Sequence, residues 1–240
     1  MEFIKDQQKL EFDAPSHTYT FEGQKLTSVS HIIKQYSVPF DEDGSILAKK
    51  AAENGVSVKE QKAEWEKKGE DARNRGTLLH SDIENYIKTK KIPNTDNKKL
   101  VKKFSKIKFK GALYSEVRLF DVYYGVAGTT DLIEVLKDGS INLYDIKTNA
   151  KKKMSSYSFG RKMFYPLDRT WDSVMDKYSI QLSTYGYMLE QAGWWVNSLT
   201  ILHADYDKQE IKEMPMQNRR NDVINMLNHY KQNYADSVQK

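Results

Sequence analysis

The sequence predicts an α/β sandwich, one mixed sheet with helices on both faces. Three observations carry this. Segments 112–122, 126–136 and 140–147 are rich in β-branched and aromatic residues, as an antiparallel meander is. Segment 140–147 is apolar on both faces, Ile141 and Leu143 on one and Tyr144 and Ile146 on the other, which marks a central strand covered from both sides. The flanking segments repeat apolar residues at helical spacing, as in Leu78, Leu79, Ile83, Tyr86 and Ile87.

Taken in order, residues 9–22 alternate apolar and polar around Ala14-Pro15-Ser16 and predict a small hairpin. Thr27 or Ser28 is placed to cap a helix that reaches Tyr36, ahead of Pro39. Residues 41–75 are helix-rich with a break near Gly55, and Gly76 is expected to precede a separate helix over 77–88, stopped by Pro93 and Asn94. Residues 96–109 read as a lysine-rich amphipathic helix with Leu100, Val101, Phe104 and Ile107 on its inner face. After the three strands comes a polar and aromatic connection, 148–170, then a helix from about Trp171 to Gln191 that ends at Gly193. Strands over 196–206 and 210–214 and a closing helix over 218–237 complete the chain. The 240 residues suit a single domain, 1–240, with a helical N-terminal part (about 27–110) and a sheet-containing core (about 111–240).

Composition excludes several chemistries. With 39% hydrophobic residues spread at regular intervals, the chain can bury a core. It has no cysteine, so disulfides, cysteine–zinc sites, iron–sulfur clusters and cysteine nucleophiles are excluded. The longest apolar stretch, about 192–202, is interrupted by Asn197, Ser198 and Thr200 and is too short to span a membrane. The start lacks the apolar core of a secretory signal, so a cytoplasmic location without membrane partners is expected.

Charge is uneven. Residues 86–110 hold ten lysines and one acid, Asp96, a net +9 against +5 for the whole chain, so the remainder is net −4. A second basic stretch, 147–169, includes Lys151, Lys152, Lys153, Arg161 and Lys162. Any one lysine is most simply a solvated side chain. Two clusters on an otherwise acidic chain favour a polyanion, and nucleic acid is the natural one. Lys98, Lys99, Lys102, Lys103 and Lys106 are the candidates for phosphate contacts. Along 148–170, aromatics alternate with cations; Tyr157, Phe159 and Arg161 suit stacking on unpaired bases beside a backbone, whereas Trp171 is expected to cap the core.

The chemistry gathers on Asp131 and on Asp145-Ile146-Lys147. Alternation puts Asp145 and Lys147 on one face of their strand. A two-residue loop, Asp138-Gly139, would send Asp131 to the other face. A three-residue loop, Lys137-Asp138-Gly139, with Gly139 in the left-handed conformation, sets Asp131 opposite Asp145. The two carboxylates and the Ile146 backbone carbonyl then offer hard oxygen ligands suited to Mg²⁺ or Mn²⁺. Lys147 beside them would hold or deprotonate an attacking water and offset charge at phosphorus. Alone this pattern is weak, since Asp and Lys at strand ends are commonly only solvated. It is joined by His80 and Glu84 one helical turn apart, by Glu116 on the preceding strand, and by Gln181 and Tyr185 one turn apart, with Tyr178 near the same stripe.

In this order the strings resemble the PD-(D/E)XK nuclease superfamily, and within it the RecB-type exonuclease branch of phage and mitochondrial genome maintenance exonucleases. The family pattern GxxxH, acid, GxxD, DxK, QxxxY falls on Gly76 and His80, Glu116, Gly128 and Asp131, Asp145 and Lys147, Gln181 and Tyr185. The segment HTYTFEGQKLTSVSHII also resembles the opening of such members. There is no proline before Asp131, and without cysteines the iron–sulfur members are not the pattern. The resemblance implies a restriction-endonuclease-like sandwich and a Mg²⁺- or Mn²⁺-dependent exonuclease acting on DNA. Asp131, Asp145 and Lys147 would be catalytic, His80 would assist the metal, and Gln181 and Tyr185 would orient the site or contact a phosphate. A structure-specific endonuclease and a non-catalytic DNA-binding accessory remain alternatives. No helicase P-loop is present, so a motor, or a single-strand-binding protein, would be a separate partner.

Overall fold

The computed structural model describes residues 3–14, 16, 18–41, 44–149 and 154–233. Three short strands open it: β1 (Leu10–Asp13), β2 (Thr18–Phe21) and β3 (Gln24–Ser28), each antiparallel to the next. The predicted hairpin is present, but the chain adds β3 before the first helix. Ser28 ends β3 and caps α1 (Val29–Gln35), its Oγ accepting from the His31 N–H at 3.3 Å. Next come α2 (Ser45–Asn54), closed by left-handed Gly55, and α3 (Val58–Thr89).

Gly76 does not open a separate helix: α3 runs unbroken for 32 residues from a capping box of Ser57 and Glu60. An isolated glycine costs about 1 kcal/mol in a helix interior, too little to stop a helix this well capped and packed. Its use here is spatial. A Cβ at Gly76 would lie 3.2 Å from Thr148 Oγ1, so glycine lets the helix pass close to the strand end that carries Lys147.

The lysine-rich helix is shorter than expected: α4 spans Lys98–Phe104, burying Leu100, Val101 and Phe104, while Lys106 and Ile107 lie beyond its end. Then follow β4 (Ala112–Asp121), β5 (Val126–Val135) and β6 (Ile141–Lys147), α5 (Val174–Gln191), β7 (Val196–Asp205), β8 (Glu210–Pro215) and α6 (Arg220–Asn233). Helix α5 starts after Trp171, at its cap Ser173, whose Oγ accepts from the Asp176 N–H. The closing helix is described as far as Asn233; its predicted end and Lys151, Lys152 and Lys153 lie outside the described residues.

The fold is α/β: among the described residues, one eight-stranded mixed sheet flanked by helices. On one face, α1, α5 and α6 cover Ile133, Leu143, Leu199 and Ile201. On the other, α3 and α4 cover Leu132, Tyr144, Ile146 and Leu202 through Leu79, Ile83, Leu100, Val101 and Phe104. The period-2 alternation of β6 thus divides its side chains between two cores, each fully buried aliphatic contributing roughly 1.5–3 kcal/mol. No helix among the described residues is long and apolar enough to cross a membrane.

The sheet forks at β5. β4 pairs with β5 along its whole length, from Ala112↔Val135 to Asp121↔Val126. The other edge of β5 is shared. β3 takes its first residues, in parallel, at Thr27↔Val126 and Ser28↔Ala127. β6 takes its last, antiparallel, from Leu132↔Tyr144 to Val135↔Ile141. Residues 128–131 have no ladder partner on that edge, and β6 leaves to pair with β7 through Lys147↔His203.

Candidate metal centre

Asp131 is the last residue of the unpaired edge. The turn is the expected three-residue one: Leu136 N donates to Ser140 O at 2.8 Å, and Gly139 is left-handed at φ 82°. That register places Asp131 across from Asp145, one step past the last paired rung. In place of another ladder bond, the Ile146 N–H donates to Asp131 Oδ2 at 2.6 Å. A carboxylate therefore closes the fork.

His80 reaches the same point from α3. The Ile146 carbonyl can only accept, so the facing His80 Nε2 carries hydrogen and donates to it at 3.0 Å. The opposite nitrogen, Nδ1, lies 3.5 Å from Asp131 Oδ1 and 3.9 Å from Glu116 Oε1. One ligand atom each of His80, Glu116 and Asp131 falls within 4.8 Å of the others. Glu116 stands opposite Asp131, between the rungs Ser115↔Leu132 and Val117↔Thr130, at a φ of 51°. A non-glycine residue held left-handed inside a strand costs on the order of 1–3 kcal/mol, and such strain concentrates at functional sites.

Asp145 and Lys147 form the second half of the site. Lys147 Nζ lies 2.7 Å from Asp145 Oδ2 and 4.7 Å from the centre of the Tyr178 ring. Tyr178 OH donates to Asn149 Oδ1 at 2.7 Å, and His203 Nε2 lies 2.7 Å from the Asn149 carbonyl. The loop after β6 is thereby tied to α5 and β7.

Gln181 and Tyr185 line the same cleft from α5, and Gln181 Nε2 donates to Tyr185 OH at 3.2 Å. The tyrosine ring lies against the bare backbone of Gly128: a Cβ there would sit 2.6 Å from Tyr185 Cε1. Glycine at this unpaired edge residue is what lets α5 approach the fork. The cleft holds about 580 Å³, with Phe12 and Tyr19 on one wall and Thr77, His80 and Glu84 on another. Glu84 is turned to Lys88, at 2.5 Å.

The electrostatics fit a cation. Burial alone would lower the His80 pKa, but Asp131, with Asp145 and Glu116, lifts it to about 9. Burial and the Asp131 charge raise Glu116 to about 7. Burial likewise lifts Asp145 to about 6 against the pull of Lys147. Burial opposes ionisation of Asp131, yet His80, Lys147 and the Ile146 N–H hold its carboxyl below the usual range. Burial works against the Lys147 charge also, but Asp145 and Asp131 keep it an ammonium. Crowded acids that share one proton with an imidazole form a site where a divalent ion can replace that proton. The two carboxylates and the imidazole of Asp131, Glu116 and His80 are a donor set that could hold a divalent metal ion.

The structure thus brings together His80, Glu116, Asp131, Asp145, Ile146, Lys147, Gln181 and Tyr185. The expected ligand set and the observed convergence differ in emphasis. Glu116 joins Asp131 and His80, while the Asp145 carboxylate faces Lys147 and the Ile146 carbonyl faces His80. Tyr178 and Asn149 gain a supporting place. Asn149 lies two residues past Lys147, so strand alternation was the available signal for it.

The other candidates lie outside the cleft wall. Lys98, Lys99, Lys102, Lys103 and Lys106 are all exposed. Tyr157 and Phe159 are exposed as well, at 68% and 74%, with ring centres 4.7 Å apart, and the Arg161 guanidinium is 6.0 Å from the Phe159 ring. The described part of the connection is held, not loose: Met163 N donates to Thr170 O at 3.0 Å and Phe164 N to Tyr36 O at 2.8 Å. Trp171 does not cap the core. It is 46% exposed, with the Lys162 ammonium 3.7 Å from its ring centre.

No protein family matches the chain by sequence, and no curated protein does. Among solved structures, the protein called SSO0001 aligns at a TM-score of 0.42 and 16% identity, over 85% of this chain and 74% of that one. A protein of Eubacterium rectale, provisionally named an exonuclease, aligns at a TM-score of 0.42 and 13% identity, over 68% of this chain and 67% of that one.

Proposed function

We propose that this protein is a metal-dependent DNA exonuclease that hydrolyses phosphodiesters to 5′-phosphate products. The observation that carries the proposal is the convergence at the fork: Asp131 fixed by the Ile146 N–H, His80 and Glu116 within ligand reach, and the Lys147 ammonium beside Asp145. The resemblance to the PD-(D/E)XK pattern supports the same reading.

Asp131, Glu116 and His80, with Asp145 beside them, would hold Mg²⁺ or Mn²⁺, which supplies Lewis-acid charge and an acidified water. The chain's own groups do the rest. The Ile146 carbonyl fixes the tautomer and ring orientation of His80. Asp145 and the Tyr178 ring hold Lys147 as a cation, placed to offset the charge that grows on the phosphoryl oxygens as water attacks and the P–O3′ bond breaks. Tyr185 and Gln181 close the cleft wall and present an amide to a phosphate. The exposed lysines of α4 would track the backbone without sequence preference. Tyr157, Phe159 and Arg161 would contact an unpaired strand end. A helicase or single-strand-binding protein would be a separate partner.

The test uses end-labelled linear and circular DNA with Mg²⁺, Mn²⁺ or excess EDTA. Nucleotides released from linear DNA alone, only with metal, are the expected result. Cleavage of the circle would point to a structure-specific endonuclease. DNA binding without cleavage in either metal would overturn the hydrolytic reading.

A further inference from the structure

A second concavity, of about 380 Å³, adjoins the metal cleft, and Ser30 and Gln181 belong to the walls of both. Its lining is mostly apolar: Ile33 from α1, Val38, Pro39 and Phe40 from the segment after it, and Tyr178 from α5. Two cations, Lys34 and Lys177, stand in its wall. Phe40 is 68% exposed, although an aromatic ring of its size normally finds cover, and its one ring contact among the described residues is Trp65 at 6.0 Å. Tyr178 lines this concavity and also has Lys147 Nζ 4.7 Å from its ring centre.

The surrounding structure holds the concavity open. Asp172 Oδ2 accepts from the Val38 N–H at 3.1 Å, and its Oδ1 pairs with Lys177 Nζ at 2.7 Å. The Asp172 N–H donates to the Arg161 carbonyl at 3.0 Å, so one buried aspartate fastens the wall to the aromatic segment after β6. The Lys177 ammonium is therefore paired with Asp172. Lys34 makes no ion pair among the described residues.

We infer that this concavity is a base-binding subsite for the terminal unpaired nucleotide of the strand whose phosphate is cut at the fork. An apolar slot with aromatic edges, cations at its rim and direct continuity with the phosphate site matches a nucleobase on a charged backbone and no other part of a nucleic acid. The volume admits one nucleotide, not a base pair. This subsite would make the enzyme count single terminal nucleotides, and it rests on the nuclease reading of the adjoining cleft.

Oligonucleotides with 2-aminopurine at the 5′ end or at the 3′ end report stacking by loss of fluorescence. They are bound to the full-length protein with Ca²⁺ in place of Mg²⁺, and binding is followed in parallel by filter retention. The expected result is quenching at one of the two ends, abolished in Phe40→Ala. Lys34→Gln should weaken binding of that oligonucleotide, and Phe40→Ala should weaken it roughly fivefold or more. An abasic terminal nucleotide should raise KM for cleavage in the wild type and leave Phe40→Ala unaffected. Retention on the filter without quenching at either end overturns the subsite, as does quenching that persists in Phe40→Ala and disappears in Phe159→Ala. Either outcome together with normal Mg²⁺-dependent cleavage leaves the nuclease reading standing. Quenching that depends on Phe40 in a protein that cleaves nothing overturns the nuclease reading alone.

Discussion

Ile146 donates its backbone N–H to Asp131 Oδ2 at 2.6 Å, two residues past Tyr144, the last residue of β6 to pair with β5. A side chain occupies the position of a missing ladder partner, so the geometry of the fork and the orientation of the acid are one feature. Asp131→Ala should open the fork as well as remove a ligand. Asp131→Asn keeps a carbonyl to accept from Ile146 and removes the charge. Asn should therefore preserve thermal stability in EDTA while cleavage falls about 100-fold or more, and Ala should lose both. Equal melting temperatures for the two variants would separate the acid from the fork.

Lys147→Ala and Asp145→Ala test the other half of the site. Each should cut the rate about 100-fold or more while leaving DNA retention largely intact. Their stabilities should differ. Removing Lys147 leaves the Asp145 carboxylate buried and unpaired, which in comparable sites costs roughly 3–5 kcal/mol if the acid stays ionised. Asp145 escapes by taking up a proton, since burial already lifts it to about 6. Lys147→Ala should thus lose more stability at pH 8 than at pH 5, measured by urea unfolding.

The acids around His80 predict how protons and metal compete. His80 is lifted from 6.5 to about 9, and Glu116 from 4.5 to about 7. A folded-state pKa above the unfolded value gives stability that is full below the unfolded pKa and is lost as pH rises through the folded one. Without metal, the melting temperature should fall as pH rises from about 4.5 to about 9, first through Glu116 and then through His80. Mn²⁺ or Mg²⁺ binds the deprotonated groups, so its stabilising effect should grow across the same window. At limiting metal, activity should rise with pH, and more metal should move the rise to lower pH. A metal-induced shift in melting temperature that is the same at pH 6 and pH 9 would falsify proton–metal exchange at this site.

Glu116 combines a left-handed backbone, at φ 51°, with a carboxyl that burial raises to about 7. Both features cost stability, and neither serves the sheet. Asparagine tolerates that backbone and carries no charge. Glu116→Asn should therefore stabilise the metal-free protein by about 1 kcal/mol and lower its metal affinity. Denaturation in EDTA, with a Mn²⁺ titration in parallel, measures both.

Much of this was legible in the sequence because it rests on short-range rules. Gly139 permits the three-residue Lys137-Asp138-Gly139 turn, and the need to set Asp131 opposite Asp145 selects it over the two-residue loop, which gives the register of β5 and β6. The two-sided apolar pattern of Ile141, Leu143, Tyr144 and Ile146 identified the central strand. What the sequence hid was set by long-range packing. Gly76 reads locally as a helix break, yet it serves the approach of α3 to Thr148. β3 is five residues without a marked pattern, and its pairing with β2 on one side and β5 on the other makes it a strand. Glu116 was named as the acid of the preceding strand, but its left-handed backbone was hidden, because nothing local in a strand sequence announces a positive φ at a non-glycine residue.

The lysines of α4 provide the last prediction. Leu100, Val101 and Phe104 are buried, and Lys98, Lys99, Lys102 and Lys103 occupy the remaining circumference, with Lys106 just beyond. None of the five lines the metal cleft, so none is placed to act on the reacting phosphate. Each phosphate that such a lysine neutralises releases condensed counterions, about 0.7 per contact on a single strand and about 0.9 on a duplex. Replacing all five with glutamine keeps the buried stripe and the helical propensity, so folding should survive. The logarithm of affinity should then fall less steeply with the logarithm of salt concentration, by up to about three and a half units of slope on single strands. The cleavage rate at saturating DNA should change little, because the fork is untouched. An unaltered salt slope in the quintuple variant would show that these lysines only solvate α4, and that the strand is carried past the cleft by other cations.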